Sequence, residues 1–317
     1  MNTSHASPPK NRFSHGLVRR KLLTYAHQNA IAGYVYTAPA IIGFFIFVLG
    51  PMIATLYISF TVWPVIGRIQ WVGLNNYIDL FTTDPFFMKS LTVTSYFSIA
   101  SIFLRLIYAF AIASLLNSDV RGKAMYRTLF YMPSIVPVIA TAMIWSWVYN
   151  PDFGLFNWAL KSVGLPPSRW ISGSETAIPS MILMDLWASS STIIIFLAGL
   201  QGVPRELLEA VEVDGGNWWN KLTAVTIPHM SPYIFFNLIL GFVASFQIFS
   251  NAYVMTGGGP SNATLFLVLL IYRTAFNSSK MGLACAMAWC LFMIVASATG
   301  LLFKSSRHWV YYYGDDR

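Results

Sequence analysis

The sequence predicts an all-α membrane protein: six transmembrane helices, with a polar helix-turn-helix loop between the fourth and the fifth. Three observations carry the prediction. Only 10% of the 317 residues are charged while 56% are hydrophobic, against about 25% charged in a soluble domain. Apolar stretches of the length that crosses a hydrocarbon core, roughly 20 helical residues, recur along the chain. Basic residues gather on alternate connections between those stretches, as they do in cytoplasmic loops.

The elements follow in order. Residues 1–30 are polar and basic and lack a small-residue cleavage pattern, so they read as a cytoplasmic tail rather than a signal peptide. A transmembrane domain is expected over 31–304, with spans at Ala32–Val62, Ser90–Asn117, Met125–Tyr149, Ala177–Leu200, Tyr233–Met255 and Met281–Phe303. Residues 305–317 form a cytoplasmic C-terminal tail. Leu265–Tyr272 is apolar but too short to cross, which suits a partly re-entrant or interfacial helix on the outer side. Turn chemistry closes the third span at Asn150-Pro151-Asp152-Phe153-Gly154 and follows the fifth at Gly257-Gly258-Gly259-Pro260.

An even number of spans puts both termini on one side. With the termini inside, the inner segments hold Arg121, Lys123, Arg127, Arg205, Lys221, Lys304, Arg307 and the basic tails. The outer segments hold Arg68, Lys89, Lys161, Arg169, Arg273 and Lys280, an inner excess of roughly two to one. Outer loops carry aromatics suited to the interface, among them Trp63, Trp71, Tyr77, Trp158 and Trp170.

Several function classes drop out. The net charge of +8 is spread thinly, with no basic face interleaved with aromatics, so nucleic acid is not expected as a partner. Cys285 and Cys290 fall inside the last apolar stretch and read as small packing residues. The five histidines lie in tails or at the inner edge, and no span holds a nucleophile–base or metal-ligand constellation. No internal repeat is visible, so an inverted-repeat secondary transporter, the rival from another class, gains no support.

The most informative segment is the loop at 203–232. Glu206, Glu209 and Glu212 recur along one side of a short helix, and carboxylates early in a helix suit its positive end. Gly215-Gly216 permits a sharp bend that a β-carbon would oppose. Trp218, Trp219 and Leu222 give a second helix an apolar face. Ile227-Pro228 is expected to end that helix, and Pro232 to open the fifth span, where a missing N–H costs nothing.

Glu209-Ala210-Val211, Asp214-Gly215 and Ile227-Pro228 closely resemble the coupling ("EAA") loop of the membrane-spanning subunits of ATP-binding-cassette importers, with Val211 in place of a second Ala. Trp71-Val72-Gly73-Leu74-Asn75-Asn76-Tyr77, Tyr126 to Pro133, Leu197 to Gln201 and Thr256 to Pro260 resemble the carbohydrate-uptake branch, so the likeness covers nearly the whole chain from Ala32 onward. The resemblance implies a subunit that moves a sugar, an oligosaccharide above all, across the bacterial inner membrane. It implies a second homologous membrane subunit, two ATPase subunits and an extracytoplasmic solute-binding protein as partners. A glycerol phosphate or glycerophosphodiester carried by the same machinery is the alternative. Glu209 would contact the ATPase cleft, and Glu206, Ala210, Asp214, Gly215 and Pro228 would shape the contact. The chain has no Gly-x4-Gly-Lys-Ser/Thr, since Gly122-Lys123 is followed by Ala124. ATP and magnesium are therefore expected on the partner subunits, with no cofactor in this chain.

By the same resemblance the solute would meet the spans flanking the loop. Those positions are Met184, Trp187, Ala188 and Ser191 in the fourth span, and Gly241, Ala244, Ser245 and Ile248 in the fifth. Each set is spaced i, i+3, i+4, i+7 and would share one helix face. Asn237 extends the second face, with Gln247 and Asn251 beside it. A ring with amides and hydroxyls suits a sugar; the same polar residues also serve helix packing. Arg105 and Asp185 are the deepest charges, costly enough in a bilayer to require protein or water around them. They are read as a structural ion pair across the second and fourth spans, with an acidic sugar meeting Arg105 as the alternative.

Overall fold

The structure, a computed structural model, describes residues 32–64, 67–119 and 121–311. The N-terminal tail expected at 1–30 and the last residues of the C-terminal tail lie outside the described residues. The chain forms two compact units, Met1–Tyr57 and Ile58–Arg317.

In the first unit the described residues form a single helix, α1 (Ala32–Ser59), whose last two residues, Ile58 and Ser59, are counted in the second unit. Its apolar side chains are exposed all round, Tyr36 at 86% and Phe47 at 78%, as suits a helix covered by lipid. A π-helical turn at Phe45–Leu49 precedes Gly50-Pro51. The widened turn makes room for a proline, which has no N–H and whose ring would strike the carbonyl four residues back.

Among the described residues the second unit's regular structure is helical apart from a two-stranded ribbon. The first span stops at Ser59 rather than at Val62, because Thr61–Val62 (β1) pairs antiparallel with Gln70–Trp71 (β2). Helix α2 (Asn75–Thr82) locks the ribbon: Asn76 Nδ2 donates to the carbonyls of Ser59 and Thr61 at 2.8 and 2.9 Å.

Helix α3 (Phe87–Asn117) runs through the centre of the unit. The third crossing, expected as one helix, is instead a pair, α4 (Lys123–Ile135) and α5 (Val138–Val148), bent by 106°. Val136 is extended, as a residue before proline must be, and Pro137 then starts the new helix. The short α6 (Leu155–Ser162) follows. The fourth crossing is likewise broken, into α7 (Ala177–Trp187) and α8 (Ser190–Gln201) with a 48° bend. Two serines stabilise the break: Ser189 Oγ donates to the Leu186 carbonyl at 2.6 Å, and Ser190 Oγ to that of Phe130 on α4 at 2.7 Å.

After the loop helix α9 (Arg205–Val213), helix α10 runs unbroken from Trp218 to Phe246. It ends before the expected Met255, and α11 (Ser250–Met255) is separate. The short α12 (Leu267–Asn277) and long α13 (Met281–Ser306) complete the unit. Counting each bent pair as one crossing, six segments among the described residues are long and apolar enough to span a bilayer.

Two clusters of buried side chains hold the helices around α3. Phe97 on α3 meets Phe266 edge-on at 5.1 Å within a cluster that includes Met181, Phe246, Leu267 and Met287. Thr94 Oγ1 accepts the Leu267 N–H at 2.9 Å, satisfying a backbone donor at the buried start of α12. The second cluster joins Ala109, Ala113, Phe196, Leu200 and Met230. There α8 and α10 approach closely at Gly199, where a β-carbon would lie 2.8 Å from Met230 Sδ and 2.9 Å from the Tyr233 ring.

Candidate functional site

The polar loop folds as a bent hairpin. No residue of α9 is buried, and Val213, Trp218 and Trp219 are 88%, 70% and 60% exposed. Exposed apolar side chains gathered beside carboxylates have the composition of an interaction surface. Gly215 sits at φ +77°, with its N–H donating to the Glu212 carbonyl at 2.9 Å and the Gly216 N–H to that of Val211 at 2.8 Å. This paired closure ends α9 with a left-handed residue. Gly216 is held by contact rather than dihedral: a β-carbon there would lie 2.5 Å from Val211 Cγ1. Asn217 then caps the next helix by accepting the Asn220 N–H at 3.0 Å, a role its sequence position signals.

The three glutamates do not act alike. Glu212, also exposed, pairs with Lys221 across the bend and braces the hairpin at its surface. Glu206 and Glu209 stay exposed, as do Ala210 and Asp214. Lys123 lies 2.7 Å from Asp119 and holds its carboxyl below the usual value, with Arg205 adding a smaller pull.

Pro228 departs from expectation. Instead of ending the second helix it lies within α10, just after a π-helical turn at Leu222–Thr226. Pro232 is also inside the helix rather than at its start. Its missing N–H leaves the Pro228 carbonyl without a helical donor, and Ser231 Oγ supplies one at 2.7 Å. The second arm of the hairpin is thus helically continuous with the fifth crossing.

Arg105 on α3 and Asp185 on α7 form a two-point ion pair, with Arg105 Nε 3.1 Å from Asp185 Oδ2 and Nη2 bonded to Oδ1. The fork geometry fixes both side chains.

The expected pathway residues separate. The break at Ala188-Ser189 destroys the single face assumed for Met184, Trp187, Ala188 and Ser191. Met184 is buried against Tyr149 and Ile171, whereas Trp187, Ala188 and Ser191 are exposed. Trp187 is steadied by an edge-on contact with Trp145 at 5.8 Å, a partner the sequence did not reveal. On α10, Asn237, Gly241 and Ser245 are buried. Asn237 Nδ2 and Ser245 Oγ bond carbonyls of their own helix, of Tyr233 and Phe242, and Gly241 packs on Ile102. Ala244 and Gln247 are exposed. Because α10 ends at Phe246, Ile248 leaves the shared face and joins the first buried cluster. Asn251 keeps a buried Oδ1 with no hydrogen-bond partner among the described residues.

Comparison with known proteins matches this architecture. The chain is 40% identical over 289 residues to "Probable ABC transporter permease protein YesP" of Bacillus subtilis (strain 168), covering 90% of this chain and 93% of that one. It is 30% identical to "Trehalose/maltose transport system permease protein MalF" of Thermococcus litoralis, covering 89% and 95%. In fold it is similar to a chain of a bacterial alginate ABC transporter solved with an alginate pentasaccharide-bound periplasmic protein, with TM-score 0.75 at 20% identity, covering 94% and 98%. Residues 106–311, which include the broken crossings, the hairpin and α10, match the family described as "Binding-protein-dependent transport system inner membrane component"; the chain belongs to that family.

Proposed function

We propose that this chain is one of two membrane subunits of an importer that carries a sugar, an oligosaccharide above all, inward at the expense of ATP hydrolysed by separate subunits. The observation that carries this reading is the exposed, acidic, tryptophan-bearing hairpin fused to a membrane-crossing helix. Such a hairpin is a rigid lever: a motor gripping Glu206, Glu209 and the rim of Trp218 and Trp219 would turn α10 directly. The positive-inside bias supports placing the hairpin and both termini in the cytoplasm, where ATP is. ATP and magnesium would be held by the two motor subunits, and the solute would arrive on an extracytoplasmic binding protein. The sugar-transport relative supports the solute class.

On the solute side, Trp187 offers a ring braced by Trp145 at the break in the fourth crossing. A fixed ring stacks on a sugar's C–H face without losing further rotamer freedom. Gln247 and Ser191 are exposed and supply amide and hydroxyl partners. Asp185 neutralises Arg105, which supports a structural role for that pair over recognition of an acidic sugar.

Affinity purification in mild detergent, followed by identification of each co-eluting chain and uptake in proteoliposomes, tests the proposal. The expected result is two ATPase chains and a second permease, with ATP-dependent uptake of a maltose-type oligosaccharide. Uptake driven by an ion gradient with no motor bound would overturn it. Uptake of glycerol 3-phosphate alone would keep the machinery and replace the solute.

A further inference from the structure

We propose that the C-terminal segment Trp309–Tyr311 is a strap that positions α10, so that movement of the hairpin turns the helix instead of bending it. The inference rests on the reading of the hairpin as a lever.

The weak point of such a lever is the stretch from Pro228 to Pro232. Two prolines remove two helical N–H donors within one turn, which in most helices produces a kink. Ser231 lies between them and is 3% exposed. Its hydroxyl donates to the Pro228 carbonyl at 2.7 Å, replacing the bond that Pro232 cannot make. The same oxygen accepts the Tyr311 N–H at 2.9 Å. A serine hydroxyl has one proton to give and lone pairs to receive, so both functions are used here.

The strap is itself held. After α13 the chain turns on hydrogen bonds from His308 N–H to the Ser305 carbonyl at 3.0 Å and from Val310 N–H to that of Ser306 at 2.9 Å. Val310 is 5% exposed. Further along α10, the Phe235 ring meets Phe303 at 5.2 Å and Trp309 at 5.8 Å, both edge-on. A segment expected as part of a cytoplasmic tail thus ties α13 to α10 beside Pro228 and Pro232. Removing the tie would leave α10 folded but free to hinge at its prolines.

The complete transporter, reconstituted in nanodiscs on a Cys285→Ala, Cys290→Ala background, provides the test with ATP and magnesium as the probe. Spin labels placed through Asn220→Cys report the hairpin, and through Leu240→Cys the far half of α10, both at exposed positions outside the docking rim and the solute face. Without further change both labels respond to ATP. In Ser231→Ala and in Tyr311→Pro, which deletes the N–H, the hairpin label keeps its response. The Leu240 label should switch in roughly fivefold fewer molecules in Tyr311→Pro, the size of one lost hydrogen bond, and in fewer still in Ser231→Ala, which loses two. Ser231→Thr, which keeps the hydroxyl, should restore the response. Unchanged behaviour of both labels overturns the strap, and so does joint loss of both, which would mark a merely structural role. Glu209→Lys serves as the control: if its labels still answer ATP, the lever reading fails and takes the strap with it. Silent labels there, with normal ones in Ser231→Ala, remove the strap alone.

Discussion

Gly215 gives a graded test of the bend, because its environment isolates one physical effect. At φ +77° it occupies the left-handed region, and a β-carbon there would meet nothing within 4 Å. Any penalty on substitution is therefore dihedral. Alanine pays about 1–2 kcal/mol in that region, a factor of roughly 5–30 in the ratio of bent to unbent hairpin. Asparagine tolerates the conformation better, and valine, branched at Cβ, pays the most. Gly216→Ala provides a contrast: its β-carbon would sit 2.5 Å from Val211 Cγ1 and 2.8 Å from the Val211 carbonyl oxygen. That variant displaces the closing hydrogen bond, at about 1 kcal/mol, and adds an overpacking cost of about 1–3 kcal/mol. The assay is retention of the ATPase chains through purification, with ATP-driven uptake, both normalised to inserted protein. The expected order is Gly, Asn, Ala, Val, falling steadily. Full retention and uptake with valine would refute the claim that the left-handed bend shapes the docking surface.

Glu209→Lys should leave insertion and thermal stability unchanged, since an exposed substitution moves stability by about 0.5 kcal/mol or less, while abolishing coupled uptake; normal uptake would count against the hairpin reading. Arg105→Ala or Asp185→Ala should each lower stability in detergent by about 3 kcal/mol by stranding a charge, with the double apolar variant milder than either. Thermal unfolding in detergent measures this, and a double loss equal to the sum of the single ones would argue against a structural pair. Gly199→Leu should separate α8 from α10 and cost at least about 1–3 kcal/mol, read as a lowered Tm with reduced yield; a neutral result would mean that the contact with Met230 and Tyr233 relaxes freely.

Much of this was legible from residue order. Hydropathy located the apolar segments because crossing a bilayer needs length and composition, both of which a sequence displays. The bend at Gly215-Gly216 was legible because left-handed geometry favours glycine in any context. Helix ends at proline were misread. Pro228 and Pro232 resemble punctuation, yet a π-helical turn and the Ser231 hydroxyl let α10 pass through both. Ser189 and Ser190 stabilise a break that apolar flanks concealed. The single face expected for Met184, Trp187, Ala188 and Ser191 was misread for the same reason, since a shared face requires one straight helix.

Sequence by itself determined the class, the six apolar segments and the acidic hairpin, because these follow from transfer free energy, charge placement and the dihedral freedom of glycine, all of them local properties. Only the tertiary structure decided the 106° and 48° bends, the burial of Met184 and Asn237 and the fold-back of Val310 and Tyr311, whereas the Arg105–Asp185 pair was already expected from the cost of two deep charges. Each of those depends on a partner far away in the chain supplying a donor, an acceptor or a surface, and one-dimensional order carries no record of which distant groups will meet.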